Sequence, residues 1–563
     1  MKKHHRITRP FRRASKGRAA RQLTPAGGEQ LVGRIHPLTP SLLNEPAPLV
    51  FTTRAWNTIR TTVGTTPAES GGPLGGVRGS GVVEDFYFDT SSAATRVTYY
   101  PDFQRLNAHF RDVWNPAGVN LLGVVHSHPA GSIHPSRPDL EYAARILDGI
   151  PELDRFVLPI AQSAGDTGRF ALHGYAAVRE PDRVRLEPID VFVVPEGATD
   201  STAWPEFDRV LDAYDGYAME RTRIVAIGGG GSASFLEDMA RAGVGEIVIV
   251  DPDTVDTPNV ATQQAYRSDI GRAKVDAIAD RLVNISPSLR VWTVQARLNE
   301  LGDAAVRRLT AGWLPGSIHP SPAASILCAF TDDFETQARV HRLGLHLGVP
   351  VVGGIVYAGG RGVEVTFAAT GITDACIRCA QSSRYAAYLE HGYRNDVGSA
   401  GAPIWATARL NALKLPVVLG LIHTTSRVAR ADHPATQRFR RVLESVVDRN
   451  LVIASLDPDI HSTLGLRMFE RSTTDGGGSV LVGSPVETVL WRRPTPDNPG
   501  TGAAPCPDCG GTGDLSDSMG RFTSTIPMPR RFGEHRYPAP RPVTPLRRQG
   551  AETGEAANAA RAD

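Results

Sequence analysis

Residues 121–139 read L-L-G-V-V-H-S-H-P-A-G-S-I-H-P-S-R-P-D, and this stretch decides how the first half of the chain is read. The apolar run 121–125, closed by a turn, has the pattern of a buried strand. His126 and His128 stand at its end. Two residues apart on an extended backbone, both imidazoles face one side. Pro129 and a loop come next, and Asp139 stands where the helical pattern of residues 140–147 begins. Two neutral imidazoles and a carboxylate make a three-ligand zinc set. Water can fill the fourth position, which is the layout of a catalytic rather than a structural zinc. A bare H-x-H is too common to carry that reading alone. His134, inside the loop, is read as a loop residue rather than a fourth ligand.

The wider spacing carries more. After H-x-H come seven residues, the first of them Pro129, then Ser136, two residues and Asp139. This resembles the JAMM signature of the JAB/MPN metalloprotease family at every position. The family also has a glutamate upstream of a Gly-Gly pair, here Glu69 in E-S-G-G-P-L-G-G. The resemblance implies that Glu69 is the general base on a zinc-bound water and that Ser136 steadies the oxyanion. The chemistry agrees, since bound zinc lowers the pKa of its water to ~7 and a carboxylate can then take the proton.

Farther along, residues 223–227 (R-I-V-A-I) run into Gly228-Gly229-Gly230-Gly231-Ser232 and a helical pattern over 233–242. Gly243-Val244-Gly245 closes it, and a second strand, 246–250, ends in Asp251-Pro252-Asp253. Strand, glycine loop, helix, strand and acid make a dinucleotide-type unit. Glycines let backbone N–H groups approach phosphate, and the helix N-terminus favours the anion. That pattern alone serves NAD or FAD equally well. The residues from 247 onward are more specific: I-V-I-V-D-P-D-T-V-D-x-x-N, then Gly271-Arg272-Ala273-Lys274, and Thr331-Asp332-Asp333 after the strand 325–329. These resemble the ThiF/MoeB adenylating family, which includes the ubiquitin-activating enzymes. The resemblance implies ATP and Mg2+ as cofactors. It makes Gly228, Gly230 and Gly231 the phosphate loop and gives Asp251 the ribose. Asp253 and Asn259 line the nucleotide site, Lys274 contacts phosphate, and Asp332 holds magnesium. Two departures stand out. The loop's third glycine has no clear counterpart among Ser232, Ala233 and Ser234. The family's phosphate-binding arginine falls on Thr262, so either another arginine replaces it or activity is weakened; Arg209, read more as a surface residue, and Arg272 are the candidates.

Four of the five cysteines form two C-x-x-C pairs, Cys376/Cys379 and Cys506/Cys509, with 126 residues between the pairs. Such pairs predict one tetrahedral structural zinc rather than two redox pairs. Cys328, in an apolar strand, is then left as a small hydrophobe. That leaves no thioester cysteine and favours a ThiF/MoeB-like activator.

At 563 residues and 41% hydrophobic, the chain has material for two to four domains with full cores. A net charge of +2 gives no global argument for nucleic acid. No stretch nears ~18 uninterrupted apolar residues, so no membrane span is expected. The basic N-terminus lacks the apolar core of a secretory signal. With metal-type cysteine spacing, this predicts a cytoplasmic protein. Residues 1–45, with nine Lys or Arg among the first 22, are read as a basic tail. Residues 46–196 are read as the JAB/MPN mixed sheet flanked by helices. Residues 203–513 are the Rossmann-like adenylation domain with its cysteine pairs, and 514–563 a Pro/Arg-rich tail. The class is α/β. Within these bounds, single strands are expected over 81–88, 156–162, 170–178 and 185–194. A helix over 103–114 is expected to bury Phe103, Leu106, Phe110, Val113 and Trp114. A mobile loop is expected over 392–399, and a helix over 409–424 interrupted at Pro416.

The two resemblances together imply a bifunctional enzyme. One domain cleaves after the C-terminal glycine of a ubiquitin-like protein, and the other adenylates the exposed carboxylate. A conjugating enzyme is a further expected partner, and the activating family implies a homodimer through this domain. The alternatives are processing and activation of a sulfur carrier for cofactor or cysteine synthesis, and a non-catalytic scaffold that binds the tail.

Overall fold

A computed structural model describes residues 21–22, 34–195, 207–457, 480–492 and 506–515, leaving out 67–68, 95–98, 130–131, 164–168, 181, 211, 287, 391–394, 396–400, 484–486 and 512.

The strand Asn120–Ser127 is the spine of the first domain. Gly71–Gly76 runs antiparallel along one edge of it, and Arg155–Val157 and Ile160–Gln162 run parallel along the other. These belong to an eight-stranded mixed sheet. A smaller parallel sheet joins Arg21–Gln22, Val191–Val194, Leu49–Thr52 and Val82–Val83. The helix Arg137–Gly149 packs on the first sheet through Ala143 and Leu147. The helix Thr53–Thr61 buries Ala55 and Ile59 in the core with Leu49, Phe51 and Val125. Each fully buried aliphatic or aromatic side chain here contributes roughly 1.5–3 kcal/mol.

Several expected single strands are broken in two. Pro159, which has no N–H for the ladder, separates Arg155–Val157 from Ile160–Gln162. Gly174 separates Ala171–His173 from Tyr175–Arg179. The run expected over 185–194 turns after Pro188. The run over 81–88 breaks at Glu84, whose side chain leaves the sheet to accept from Ser321 Oγ at 2.6 Å. The helix Phe103–His109 passes into a π-turn, Phe110–Trp114. The wider turn rotates the buried face. Leu106 and Trp114 are therefore buried, whereas Phe103 and Val113, expected inside, are about half exposed.

The second domain is built on a ten-stranded sheet. Its parallel part runs Arg34–Pro37, Arg290–Val294, Glu246–Val250, Thr222–Ile227, Ala324–Ala329, Val351–Val356; four antiparallel strands complete it. Counted along the chain from Thr222–Ile227, the central order reverses between that strand and Ala324–Ala329. Open α/β sheets bind their ligands at such a reversal, at the carboxyl ends of the strands. The strands are buried on both faces, which is why they read as continuous apolar runs rather than alternating ones.

The sheet's first strand corrects the expected 1–45 tail. Arg34–Pro37 pairs in parallel with Arg290–Val294, setting Ile35 opposite Val291, and His36 stacks on Trp292. The helix Pro40–Asn44, capped by Thr39, comes next, and Leu43 is buried. Asn44 then fastens it, donating to Glu300 O at 2.8 Å and accepting from Gly302 N at 3.0 Å. Four residues of edge strand are too few to show a period. At the other end, Leu515, expected in a tail, is buried beside Cys376 and Cys509. The rest of that tail lies outside the described residues, as does most of the loop expected over 392–399.

The helix Ile404–Thr425 runs unbroken through Pro416, against the expected interruption. A mid-helix proline costs ~3 kcal/mol, but Leu410, Val417, Val418, Leu421 and Ile422 bury into the main core around it. Length and hydropathy alone would let this helix cross a membrane. Its packing against the sheet and against Pro434–Glu444 makes it a core helix.

Candidate functional sites

At the rim of the first sheet, His126 is the last residue but one of the strand Asn120–Ser127 and His128 lies one step beyond its end. Ser136 caps Arg137–Gly149: its Oγ accepts from Asp139 N, and the Asp139 carboxylate accepts from Ser136 N at 2.6 Å. This capping box turns the Asp139 carboxylate toward the imidazoles. His126 Nε2 lies 2.9 Å from His128 Nε2 and 3.3 Å from Asp139 Oδ1, and His128 Nε2 lies 3.5 Å from Asp139 Oδ2. Three ligand atoms thus converge within 4.8 Å of one another, as a metal ion requires. Both histidines are buried. Tyr99 stacks on His126, and Ser132 Oγ lies 3.3 Å from His128 Nδ1. Burial alone would raise Asp139, but hydrogen bonds from His126 and His128 outweigh it and hold the carboxyl far below its ordinary range. His134 turns away, with Nδ1 2.7 Å from Tyr175 OH.

Glu69 reaches this cluster through strand pairing. Gly71 sits opposite His126, and Ser70 N donates to Ser127 Oγ at 3.0 Å. Gly71 allows the approach, because a Cβ there would stand 2.3 Å from Val125 O. Glu69 is buried and feels His128, His126 and Asp139; burial raises its pKa and the two histidines partly offset that. Ser136 Oγ lies 2.7 Å from Asp139 Oδ2, so its hydroxyl is engaged with Asp139.

In the second domain the glycine loop follows Thr222–Ile227, at the point where the strand order reverses. Gly228 has φ +94°, and a Cβ on it would meet Phe330 C at 2.7 Å, so only glycine lets the two strand ends close together. Asp251 accepts from Gly229 N at 2.8 Å and from Asp253 N at 3.0 Å, tying the second strand's end to the loop. Burial raises its pKa. Lys274 Nζ bonds Asp253 Oδ2 at 2.9 Å. Asn259 accepts from Asp256 N at 2.9 Å and shapes the turn before its helix. Asp332 is exposed just past Ala324–Ala329, on the strand neighbouring the loop's own. Gly230 is covered by Gln263. Thr262 bonds back to Pro258 O, so its position carries no cation. Of the two arginines offered in its place, Arg272 is paired with Asp280 and Asp269, and Arg209 is exposed on a turn. Motif reading missed Asn411 and Lys414, which meet the loop from the helix Ile404–Thr425. The signal available was an amide and an ammonium at i and i+3 in the largely apolar middle of that helix.

The two cysteine pairs meet. Cys376 Sγ lies 3.8 Å from Cys506 Sγ, and Cys379 Sγ 3.6 Å from Cys509 Sγ. A tetrahedron of Zn–S bonds of ≈ 2.3 Å has an edge of about 3.8 Å, so the spacing fits a zinc ion. Arg378 bonds Asp508 at 3.0 Å across the pairs. Cys328 is fully buried, and burial pushes its thiol up to about 12.

Comparison with known proteins agrees with both halves. The model of the ThiF family matches residues 211–445, and that of the prokaryotic homologs of the JAB domain matches 57–173. The chain is 28% identical over 138 residues to the SAMP-activating enzyme E1 of Haloferax volcanii, covering 24% of this chain and 46% of that protein. It is 33% identical over 147 residues to the probable adenylyltransferase/sulfurtransferase MoeZ of Mycobacterium tuberculosis, covering 25% and 32%. It is 28% identical over 165 residues to the sulfur carrier protein adenylyltransferase of Thermus thermophilus, covering 29% and 56%. The match thus spans less than two thirds of each of these relatives. The chain joins a prokaryotic JAB-type domain to a ThiF-family domain of the E1-like adenylyltransferase kind.

Proposed function

We propose that the chain is a bifunctional enzyme acting on the flexible C-terminal tail of a ubiquitin-like or sulfur-carrier protein. The JAB-type domain is a zinc-dependent (iso)peptidase that cleaves after a C-terminal glycine. The ThiF-type domain adenylates that carboxylate with ATP and Mg2+. The observation that carries the reading is the convergence of a buried Glu69 with His126, His128 and Asp139 on the same chain as a glycine loop at a sheet switch point.

In the first site His126, His128 and Asp139 would hold the zinc, which when bound brings the pKa of its water to ~7. Glu69 takes that proton and returns it to the leaving amine. Ser136 supports the oxyanion once its hydroxyl turns from Asp139, a contribution of ~3 kcal/mol for a single donor. In the second site the N–H groups around Gly228, Gly230 and Gly231 receive phosphate and Asp251 the ribose. Asp253 and Asn259 line the nucleotide, Lys274 balances phosphate charge, and Asp332 would hold magnesium. Cys376, Cys379, Cys506 and Cys509 would hold a structural zinc.

Buried Cys328 favours one variant of this reading, sulfur-carrier activation. With no accessible thiol outside the four-cysteine cluster among the described residues, the acyl-adenylate passes to an outside sulfur and releases AMP. The test is pyrophosphate exchange into ATP. Exchange is expected only with a protein tail ending in glycine, and Lys274→Ala is expected to remove it. A wild-type chain that binds the tail without exchange would favour the scaffold.

A further inference from the structure

The core helix Ile404–Thr425 crosses beneath the glycine loop and turns Asn411 and Lys414 toward it. Asn411 Nδ2 donates to Gly231 O at 2.9 Å and to Ser234 Oγ at 2.7 Å. Lys414 Nζ donates to Asn411 Oδ1 at 2.9 Å and to Ser232 Oγ at 3.3 Å. The ammonium lies 3.7 Å from the centre of the Phe330 ring and 5.7 Å from that of Phe235. Lys414 is 1% exposed. Gly354 makes room for it, since a Cβ there would lie 2.6 Å from Lys414 Cε.

The groups facing Lys414 are therefore Asn411 on its own helix, Ser232 in the loop and Phe235 on the helix after it. Cys328 and Phe330 face it from the neighbouring strand, and Gly354 from the next. Cys328 alone among them titrates, and it is held protonated by burial. Among the described residues no carboxylate acts on Lys414. A buried cation with no counter-charge destabilises the fold that contains it. Burial accordingly pulls Lys414 down to about 7, with Cys328 opposing slightly. A position needed only for packing is served better by Met or Leu. The charge thus points to an anion that the protein does not itself supply. The loop above it, a glycine turn feeding a nine-residue helix, is where phosphate is favoured.

We propose that Lys414, oriented by Asn411, is the underside of the phosphate cradle: a buried cation beneath residues 231–234 whose charge is balanced only by the polyphosphate of a bound nucleotide. The inference deepens the adenylation reading and rests on it. Lys414 is a positioning and charge-supplying residue acting through the loop.

The experiment is calorimetric titration of the full chain with Mg·ATP, paired with thermal melting with and without nucleotide. Lys414→Met is expected to weaken ATP binding by about tenfold or more. Its unliganded melting temperature should match or exceed the wild type's, and the ATP-induced rise should shrink. Lys414→Gln keeps a donor but no charge, and it should weaken binding to the same degree. Binding within about twofold of wild type in either variant overturns the proposal. So does an unliganded melting temperature lowered by about 5 °C or more in both, because the ammonium would then be stabilising the empty fold. A wild-type chain that binds no ATP overturns the adenylation reading instead.

Discussion

Glu69 and Asp139 face the same two imidazoles and are driven in opposite directions. Hydrogen bonds from the two histidines hold the Asp139 carboxyl far below its ordinary range, while burial, prevailing over the histidines, raises that of Glu69, as the proposed general base requires. Glu69→Gln is therefore expected to keep its zinc and lose about 10²–10⁴-fold in cleavage rate. Metal analysis beside a peptide-cleavage assay checks both halves, and loss of zinc in that variant would make Glu69 a ligand instead. Lys414 allows a prediction in pH. Its value falls from the ordinary 10.5 to about 7 on folding. Between those values the unfolded chain binds more protons, so Lys414 costs stability at neutral pH and that cost fades as pH rises toward 10.5. Denaturation midpoints of the unliganded wild type should gain on those of Lys414→Met between pH 7 and pH 9. A constant difference would mean that Lys414 is not desolvated. The convergence of His126, His128 and Asp139 was legible because their spacing is that of a metal-binding motif. Lys414 was not, because a lysine in an apolar helix is recognised only by what it touches.

At the scale of elements, the pairing of Gly71–Gly76 with Asn120–Ser127 brings Glu69 to the cluster of His126, His128 and Asp139. Gly71→Ala places a Cβ 2.3 Å from Val125 O and 2.8 Å from His126 Cβ. The strands must separate there, at a cost of roughly 1–3 kcal/mol. Chemical denaturation should show that loss, and cleavage should fall while ATP binding stays unchanged. Motif-bearing strands and helices were readable in the sequence because apolar runs and glycine turns announce them. Breaks at Pro159 and Gly174 were passed over as parts of longer runs. The π-turn at Phe110–Trp114 was missed because one extra residue per turn leaves composition unaltered while rotating every side chain after it. Pro416 misled in the other direction: local preference argued for a break that burial on both sides overrides.

At the scale of the whole molecule, contacts far apart in sequence join the domains. Arg307 pairs with Asp154 at 2.8 Å, Arg427 with Glu84 at 3.1 Å, and Trp313 packs on Phe192. None of these was legible, since no local pattern marks an arginine whose partner lies hundreds of residues away. The cysteine cluster was legible despite its long insertion, because thiolate pairs declare their own geometry. Purified chain is expected to carry about two zinc ions, and Cys506→Ser about one, with a lowered melting temperature. Metal analysis by mass spectrometry decides this. A full zinc complement in Cys506→Ser would mean that the pairs do not share an ion.

The strand Arg34–Pro37 sits on the outer edge of the ten-stranded sheet, yet the ribosome makes it before all of the first domain except the short strand Arg21–Gln22. It must wait for Arg290–Val294 to emerge before it has a partner, so the peptidase-like unit is completed while the larger sheet is still open. Cutting the chain at the expected start of the second domain, residue 203, would discard that strand and expose a bare row of N–H and C=O groups ready for intermolecular pairing. Half-proteins cut there should precipitate, whereas co-expressing residues 1–202 as a separate chain should return them to solution.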